Sequence, residues 1–188
     1  MRKIILLLSM SLDGYTEGPE RQIDWHVVDD ELHQHFNDMT RTLGGLLEGR
    51  TTYELMEAYW PTADADPASA GPVVTEFAAI WRDTPKYVYS RTLERVGPNA
   101  TLVRDVVPAE VAALKAAPGG DLAVGGARLA ADFLRHDLVD AYRIYVHPVR
   151  IGRGTPLFQQ LDYAPVPLRL EGTHTFGNGV VQLRYERP

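Results

Sequence analysis

The sequence predicts an α/β fold built on an eight-stranded, mainly parallel sheet, with helices on both faces and an antiparallel hairpin at the C-terminal end. Three observations carry this reading. Ile4 to Met10 is an unbroken apolar run of strand length, the pattern of a strand covered on both faces. From there to residue 147, short apolar runs alternate with segments whose apolar residues recur every three or four positions. The tail from Val166 instead holds two alternating segments joined by Gly177-Asn178-Gly179, a strong hairpin signal.

The elements follow in order. Asp13-Gly14 supplies turn chemistry after the first strand. Val28, Leu32, Phe36, Met39 and Leu43 have the spacing of an amphipathic helix, with Asp29 and Asp30 as cap and dipole partners. A brief strand over 45–48 leads into GRTTYELMEAYWP, where Thr51 or Thr52 caps a helix that buries Tyr53, Met56 and Trp60 and stops at Pro61. Residues 62–72, TADADPASAGP, lack periodicity and read as a surface loop. Val74, Phe77, Ile80 and Trp81 predict another short helix, and Pro85 precedes a strand over 86–90. A strand over 101–104 comes before a helix that Pro108 opens and Gly119-Gly120 closes. A strand over 121–125, a helix over 127–136, and a strand over 140–149 with Tyr142, Ile144 and Val146 on one face complete the alternation.

Composition bounds the function. A chain of 188 residues with 45% hydrophobic and 23% charged residues suits a single domain over 1–188. The net charge of -6, with no block of Lys or Arg, offers no stripe for nucleic acid. The absence of cysteine excludes a disulfide framework, a thiolate nucleophile and a Cys-ligated zinc site, and fits the cytoplasm. The apolar run at Ile4 to Leu8 is too short for a signal peptide, and no stretch approaches the roughly 20 apolar residues of a membrane span. The six histidines show no HxxxH or HExxH spacing, so no metal is expected.

In an open parallel sheet, ligands lie beyond the carboxyl ends of the strands. Three such places carry suggestive residues. Gly125-Gly126-Ala127, between strand and helix, fits either a plain tight turn or a cradle where free helix N–H groups meet a phosphate. Gly49-Arg50-Thr51-Thr52 would combine a guanidinium fork with two hydroxyls at a helix start, or serve as an ordinary cap. Ser90-Arg91-Thr92 puts an arginine and hydroxyls, and no acid, where a carboxylate would select a ribose 2′-hydroxyl and an arginine a 2′-phosphate.

Taken together, SLDG, LLEGRTTYE, VYSRT, VGGARLAADFL and HPVRIGRGTPLF, in this order, resemble the dihydrofolate reductase superfamily. The resemblance is narrower to the branch of the C-terminal reductase domain of the riboflavin-pathway deaminase-reductase, as a stand-alone member. It implies a three-layer dihydrofolate-reductase-like fold, a homodimer and an NADPH site. In that site Gly49, Arg50, Thr51 and Thr52 would hold cofactor phosphate, Ser90 and Arg91 the adenosine 2′-phosphate, and Gly125, Gly126 and Ala127 the pyrophosphate. Ser9 to Asp13 would line the nicotinamide end. The substrate would be a pterin, a 5-amino-6-ribosylaminouracil-like pyrimidine or a small carbonyl compound.

Hydride transfer also needs a proton source or an anchor for the substrate. By the same resemblance the carboxylate lies a few residues after Trp25, where alternative registers select Asp30 or Glu31, and Asp13 is a third candidate. Arg150 or Arg153, in the turn that follows the strand over 140–149, could meet a substrate phosphate. The competing reading is a protein that binds NADPH or a folate-like ligand on the same fold without catalysis.

Overall fold

The structure, a computed structural model, describes the backbone of residues 1–188 and every side chain except those of Pro67 and Ser69. The expected alternation is present: β1 (Ile4–Ser11), β2 (Tyr15–Glu17), α1 (Asp30–Thr42), β3 (Gly45–Gly49), α2 (Arg50–Glu57), α3 (Pro67–Ala70), α4 (Pro72–Asp83), β4 (Lys86–Tyr89), β5 (Ala100–Val103), α5 (Pro108–Ala116), β6 (Leu122–Gly125), α6 (Ala127–Arg135), β7 (Ala141–His147), β8 (Thr155–Pro156), β9 (Arg169–Thr175) and β10 (Val181–Glu186). Eight strands form one sheet in the order β5-β4-β3-β6-β1-β7-β10-β9. β3, β4 and β5 pair in parallel, as do β1 and β7, whereas β10 runs antiparallel to both β7 and β9. β2 and β8 form a separate small ribbon that periodicity did not reveal, being too short to show it. Among the described residues, no helix is long and apolar enough to cross a membrane.

The chain packs as two compact units, each drawn from separated stretches. The first contains Met1–Arg2 and Asp29–Ala123. Here Asp29 caps α1, its carboxylate accepting from the Leu32 N–H at 3.0 Å, so the helix begins after Val28, which stays exposed. The core faces are Leu32 on α1, Leu46 and Leu47 on β3, and Phe77, Ala78, Ile80 and Trp81 on α4. A polar tie joins α1 to α4. Fully buried Asn37 donates to the Val73 carbonyl at 2.9 Å and to Glu76 at 2.7 Å, and Gln34 adds a bond to Glu76 at 2.8 Å. These amide donors hold the Glu76 carboxyl below its usual range, with burial opposing them and Arg41 assisting.

Three expectations need correction in this unit. Neither Thr51 nor Thr52 caps α2, because β3 passes directly into the helix and the N-cap position falls on Gly49. That helix also ends at Glu57, so Trp60 lies in a separate 3-10 turn, Trp60–Thr62, where it packs edge-on against Phe77 at 4.4 Å between ring centres. The supposed loop over 62–72 contains the single helical turn Pro67–Ala70, too short to register as periodic.

The second unit contains Lys3–Val28 and Val124–Pro188. β7 is covered on both faces: Tyr142, Ile144, Tyr145 and His147 are all buried, beyond the single face expected. On α6, Leu129, Ala130 and Phe133 carry the three-to-four spacing inward. The C-terminal hairpin turns at Gly179 (φ +85°), with Val180 N–H donating to the Asn178 side chain at 3.0 Å.

Two glycines in the first unit are fixed by close backbone approach. A Cβ at Gly120 would stand 2.3 Å from the Thr42 carbonyl oxygen, and one at Gly44 would stand 2.4 Å from the Gly120 carbonyl oxygen. Arg2, buried, donates through Nε to that same Gly120 oxygen at 2.7 Å. Gly120→Ala is expected to cost about 1–3 kcal/mol through overpacking, read as a fall in melting temperature of several degrees with the far-UV spectrum retained.

Candidate functional site

In the first unit, the parallel register places Gly49 opposite Tyr89 and Tyr89 opposite Val103. Residues that follow these three therefore leave the sheet at one edge. Arg50 is exposed as the first residue of α2 and approaches Glu54 only at 4.0 Å. Thr51 and Thr52 complete the first turn, whose N–H groups have no side-chain cap.

At the end of β4 the chain is held from two sides. The Ser90 hydroxyl, largely buried, accepts from the Thr92 and Leu93 N–H groups at 3.2 and 3.0 Å. Arg104 donates to the carbonyls of Ser90 and Leu93 at 3.0 and 2.6 Å. Arg91 projects from this fixed turn with 82% of its side chain exposed, and its Nε donates to Asp105 at 2.7 Å. The expectation of an arginine without an acid is thus corrected. Asp105 is remote from the 90–92 segment in sequence and arrives through the pairing of β4 with β5.

Glu48, the residue before Gly49, is a second acid that periodicity did not single out. It is buried, and its Oε2 has no hydrogen-bond partner. Burial pushes its carboxyl up to about 8, with Lys86 pulling the other way and Glu57 adding to the rise. Lys86 cannot neutralise it fully. Its ammonium donates to the Trp81 and Thr84 carbonyls at the end of α4 and lies over the Trp81 ring. A glutamate inside the apolar strand GLLEG was the available sequence signal.

Asp30 and Glu31 occupy the exposed first turn of α1 in the same unit, where their charge complements the helix dipole.

In the second unit, β6 ends at Gly125 and Gly126 is the N-cap of α6 with φ +82°, a conformation that favours glycine. Gly125 has no such backbone demand, and a Cβ placed there would meet no atom within 4 Å. Open space therefore lies where its side chain would be. Ala127 begins α6, and no side chain caps that helix.

β1 and β7 bring Ser9 opposite Tyr145 and Ser11 opposite His147. Beyond them, Asp13 works as a clasp. Its carboxylate accepts from the Ser11 hydroxyl at 2.7 Å, from Gly152 N–H at 2.8 Å and from Ile151 N–H at 3.2 Å. Desolvation acts to raise its pKa, but these donors outweigh it and hold the carboxyl below its usual range. Asp13 is therefore ionised at neutral pH and committed to the loop after β7.

The neighbouring aromatic cluster was not anticipated as a site. His147 is fully buried at the end of β7, its Nδ1 accepting from Val27 N–H at 3.1 Å. The proton of the neutral ring then sits on Nε2, which has no partner. His26 stacks on it at 4.8 Å, with Trp25 edge-on to both. Burial chiefly, and His26 secondarily, push His147 down to about 4. Trp25 also walls a cleft of about 230 Å³ shared with Gly18, Gln22, Ile151 and exposed Arg153. Among the described residues, no group of His, Asp and Glu could hold a metal ion.

The model of the RibD C-terminal domain family matches residues 2–182. The chain belongs to the RibD C-terminal domain family. Within it, the chain is 35% identical over 185 residues to the uncharacterized protein YyaP of Bacillus subtilis (strain 168), covering 98% of this chain and 94% of that one. A solved protein of Shewanella sp. PV-4, provisionally named for riboflavin biosynthesis, superposes with a TM-score of 0.77 at 23% identity, covering 99% of both chains. The dihydrofolate reductase of Enterococcus faecalis, solved with NADP(H), superposes with a TM-score of 0.65 at 15% identity, covering 98% of this chain and 96% of that one. At these identities the two structures speak to the fold. This RibD C-terminal domain therefore has the dihydrofolate-reductase-like α/β fold that its motifs resemble.

Two outcomes follow from these sites. Asp13→Asn removes one acceptor from the clasp, so the Gly152 amide is expected to exchange with deuterium several-fold faster while the β1 amides keep their protection. For Glu48, the folded pKa lies above the unfolded one, so the folded state binds the proton more tightly. Its contribution is fully present below pH 4.5 and is lost as pH rises through 8. The melting temperature of Glu48→Gln relative to the parent protein is therefore expected to rise between pH 5 and pH 9.

Proposed function

We propose that this protein is an NADPH-dependent reductase that transfers hydride to a small heterocyclic or carbonyl substrate, the pterin and 5-amino-6-ribosylaminouracil-like pyrimidines being the first classes to try. The observation that carries the reading is the end of β6. Gly125 leaves open space that no packing or backbone demand explains, beside an uncapped helix that starts at a positive-φ glycine. A phosphate group fits that arrangement: it needs close backbone approach and free N–H groups. Membership of the RibD C-terminal domain family, and the NADP(H) bound in the Enterococcus faecalis dihydrofolate reductase, support a dinucleotide as its source.

In this reading Gly125, Gly126 and Ala127 receive the pyrophosphate, and Gly49, Arg50, Thr51 and Thr52 hold cofactor phosphate. Ser90 and Arg91 meet the adenosine 2′-phosphate, and Ser9 to Asp13 line the nicotinamide end. NADPH when bound supplies the hydride. The chain's own residues orient and anchor the reactants. Asp13, held ionised by its N–H and O–H donors, fixes the loop at Ile151 and Gly152 and is a poor proton donor at neutral pH. Asp30 and Glu31 remain the candidates for anchoring the substrate or passing a proton. The protein works as a cytoplasmic homodimer in the same proposal.

The commitment of Asp13 to structure favours one alternative, a protein that binds NADPH or a folate-like ligand without turning it over. Tryptophan-fluorescence titration with NADPH and NADH tests the cofactor assignment. Saturable NADPH binding is expected, weakened about tenfold or more in Arg50→Ala and in Arg91→Ala, as loss of a charge-assisted phosphate contact implies. Failure of both nucleotides to saturate would sink the reductase reading. Substrate-dependent oxidation of NADPH separates enzyme from binder.

A further inference from the structure

We infer that Asp105 is a built-in competitor for the cofactor's 2′-phosphate and sets how far the site prefers NADPH over NADH. The inference rests on the reductase reading, and it concerns a residue outside the phosphate-binding motifs.

Arg91 stands on a turn that the structure fixes without its help. The Ser90 hydroxyl binds the turn's own N–H groups, and Arg104 ties the Ser90 and Leu93 carbonyls from the β5 side. Arg91 is therefore presented rather than used for folding. Its Nε and Nη2 both lie against one oxygen of Asp105, at 2.7 and 2.5 Å. That is the forked edge with which a guanidinium takes a phosphate or carboxylate side by side.

A 2′-phosphate has two ways to reach Arg91, and Asp105 opposes both. It can displace the carboxylate from the Nε–Nη2 edge, giving up an ion pair. It can instead use the remaining Nη1–Nη2 edge, with an uncompensated carboxylate close to its own negative charge. A ribose 2′-hydroxyl makes neither demand and leaves the Arg91–Asp105 pair intact. The opposition is limited in size, because both partners are solvent-exposed, with 82% and 50% of their side chains accessible, and exposed ion pairs are weak. Asp105 therefore lowers the discrimination between the two dinucleotides without abolishing it.

The test compares the parent protein with Asp105→Asn and Asp105→Ser, titrated with NADPH, NADH, adenosine 2′,5′-bisphosphate and 5′-AMP at one fixed ionic strength. Both variants are expected to bind NADPH and adenosine 2′,5′-bisphosphate about threefold to tenfold more tightly, the scale of an exposed ion pair plus the repulsion removed with it. Affinity for NADH and 5′-AMP should change by less than about twofold, since those ligands carry no 2′-charge. Unchanged or weaker NADPH binding in both variants, with the parent protein still saturable by NADPH, would overturn the role of Asp105 and leave the reductase reading standing. Selective loss of NADH binding would overturn it too, showing a carboxylate that grips the ribose hydroxyls. Absence of dinucleotide binding by the parent protein would remove both readings together. Equal melting temperatures for the three proteins confirm that the comparison is of folded chains.

Discussion

Parallel strand pairing is the constraint from which the candidate site follows. Strands that share a direction share an edge at which their carboxyl ends emerge, and the register then decides which residues meet there. Because Gly49, Tyr89 and Val103 are aligned across β3, β4 and β5, the residues just beyond them emerge side by side. Arg50, Arg91 and Asp105 come from three distant stretches of chain, and each is there because of its distance from a strand end. In the second unit the pairing of β1 with β7 does the same for Ser11 and His147. A shift of one residue in any of these ladders would turn every side chain to the opposite face.

Around these edges the chain handles its polar groups in two ways. Some groups are fully supplied with partners. The Glu76 carboxylate receives Asn37 and Gln34, Lys86 finds the carbonyls at the end of α4, and Asp13 receives three donors. These bonds fix helix to helix and loop to strand. Among the groups buried with an atom left over are Glu48, at Oε2, and His26 and His147, at Nε2. Each carries a displaced pKa in the direction that neutralises it, upward for the carboxyl and downward for the imidazoles, because burial penalises the charged form. Both leftover clusters lie at strand ends, Glu48 before Gly49 and His147 at the close of β7.

The glycines show how local geometry separates positions that the backbone requires from one that it does not. Gly44 and Gly120 are required by backbone packing, and Gly126 by its positive φ. Gly125 is required by neither. In the sequence Gly125 and Gly126 form one undifferentiated pair. The structure divides them into a turn residue and an open position at the strand end, and the proposed phosphate site rests on that difference.

The sequence by itself determined the alternation of strands and helices, the mainly parallel sheet with its C-terminal hairpin, the Asp29 cap and the strand-end motifs. Those features are periodic or local, written in apolar spacing and in turn and cap residues that act within a few positions of themselves. Tertiary structure decided what depends on contacts between remote segments: the acid beside Arg91, the commitment of Asp13 to the loop at Ile151 and Gly152, and the stacking of His26 on His147. It also decided the start of α2 at Arg50 with Gly49 as its N-cap, because a strand running straight into a helix leaves no place for a threonine cap. A side chain's type is fixed in the chain, but its electrostatic partner is chosen by strand register, and register is a property of the folded sheet.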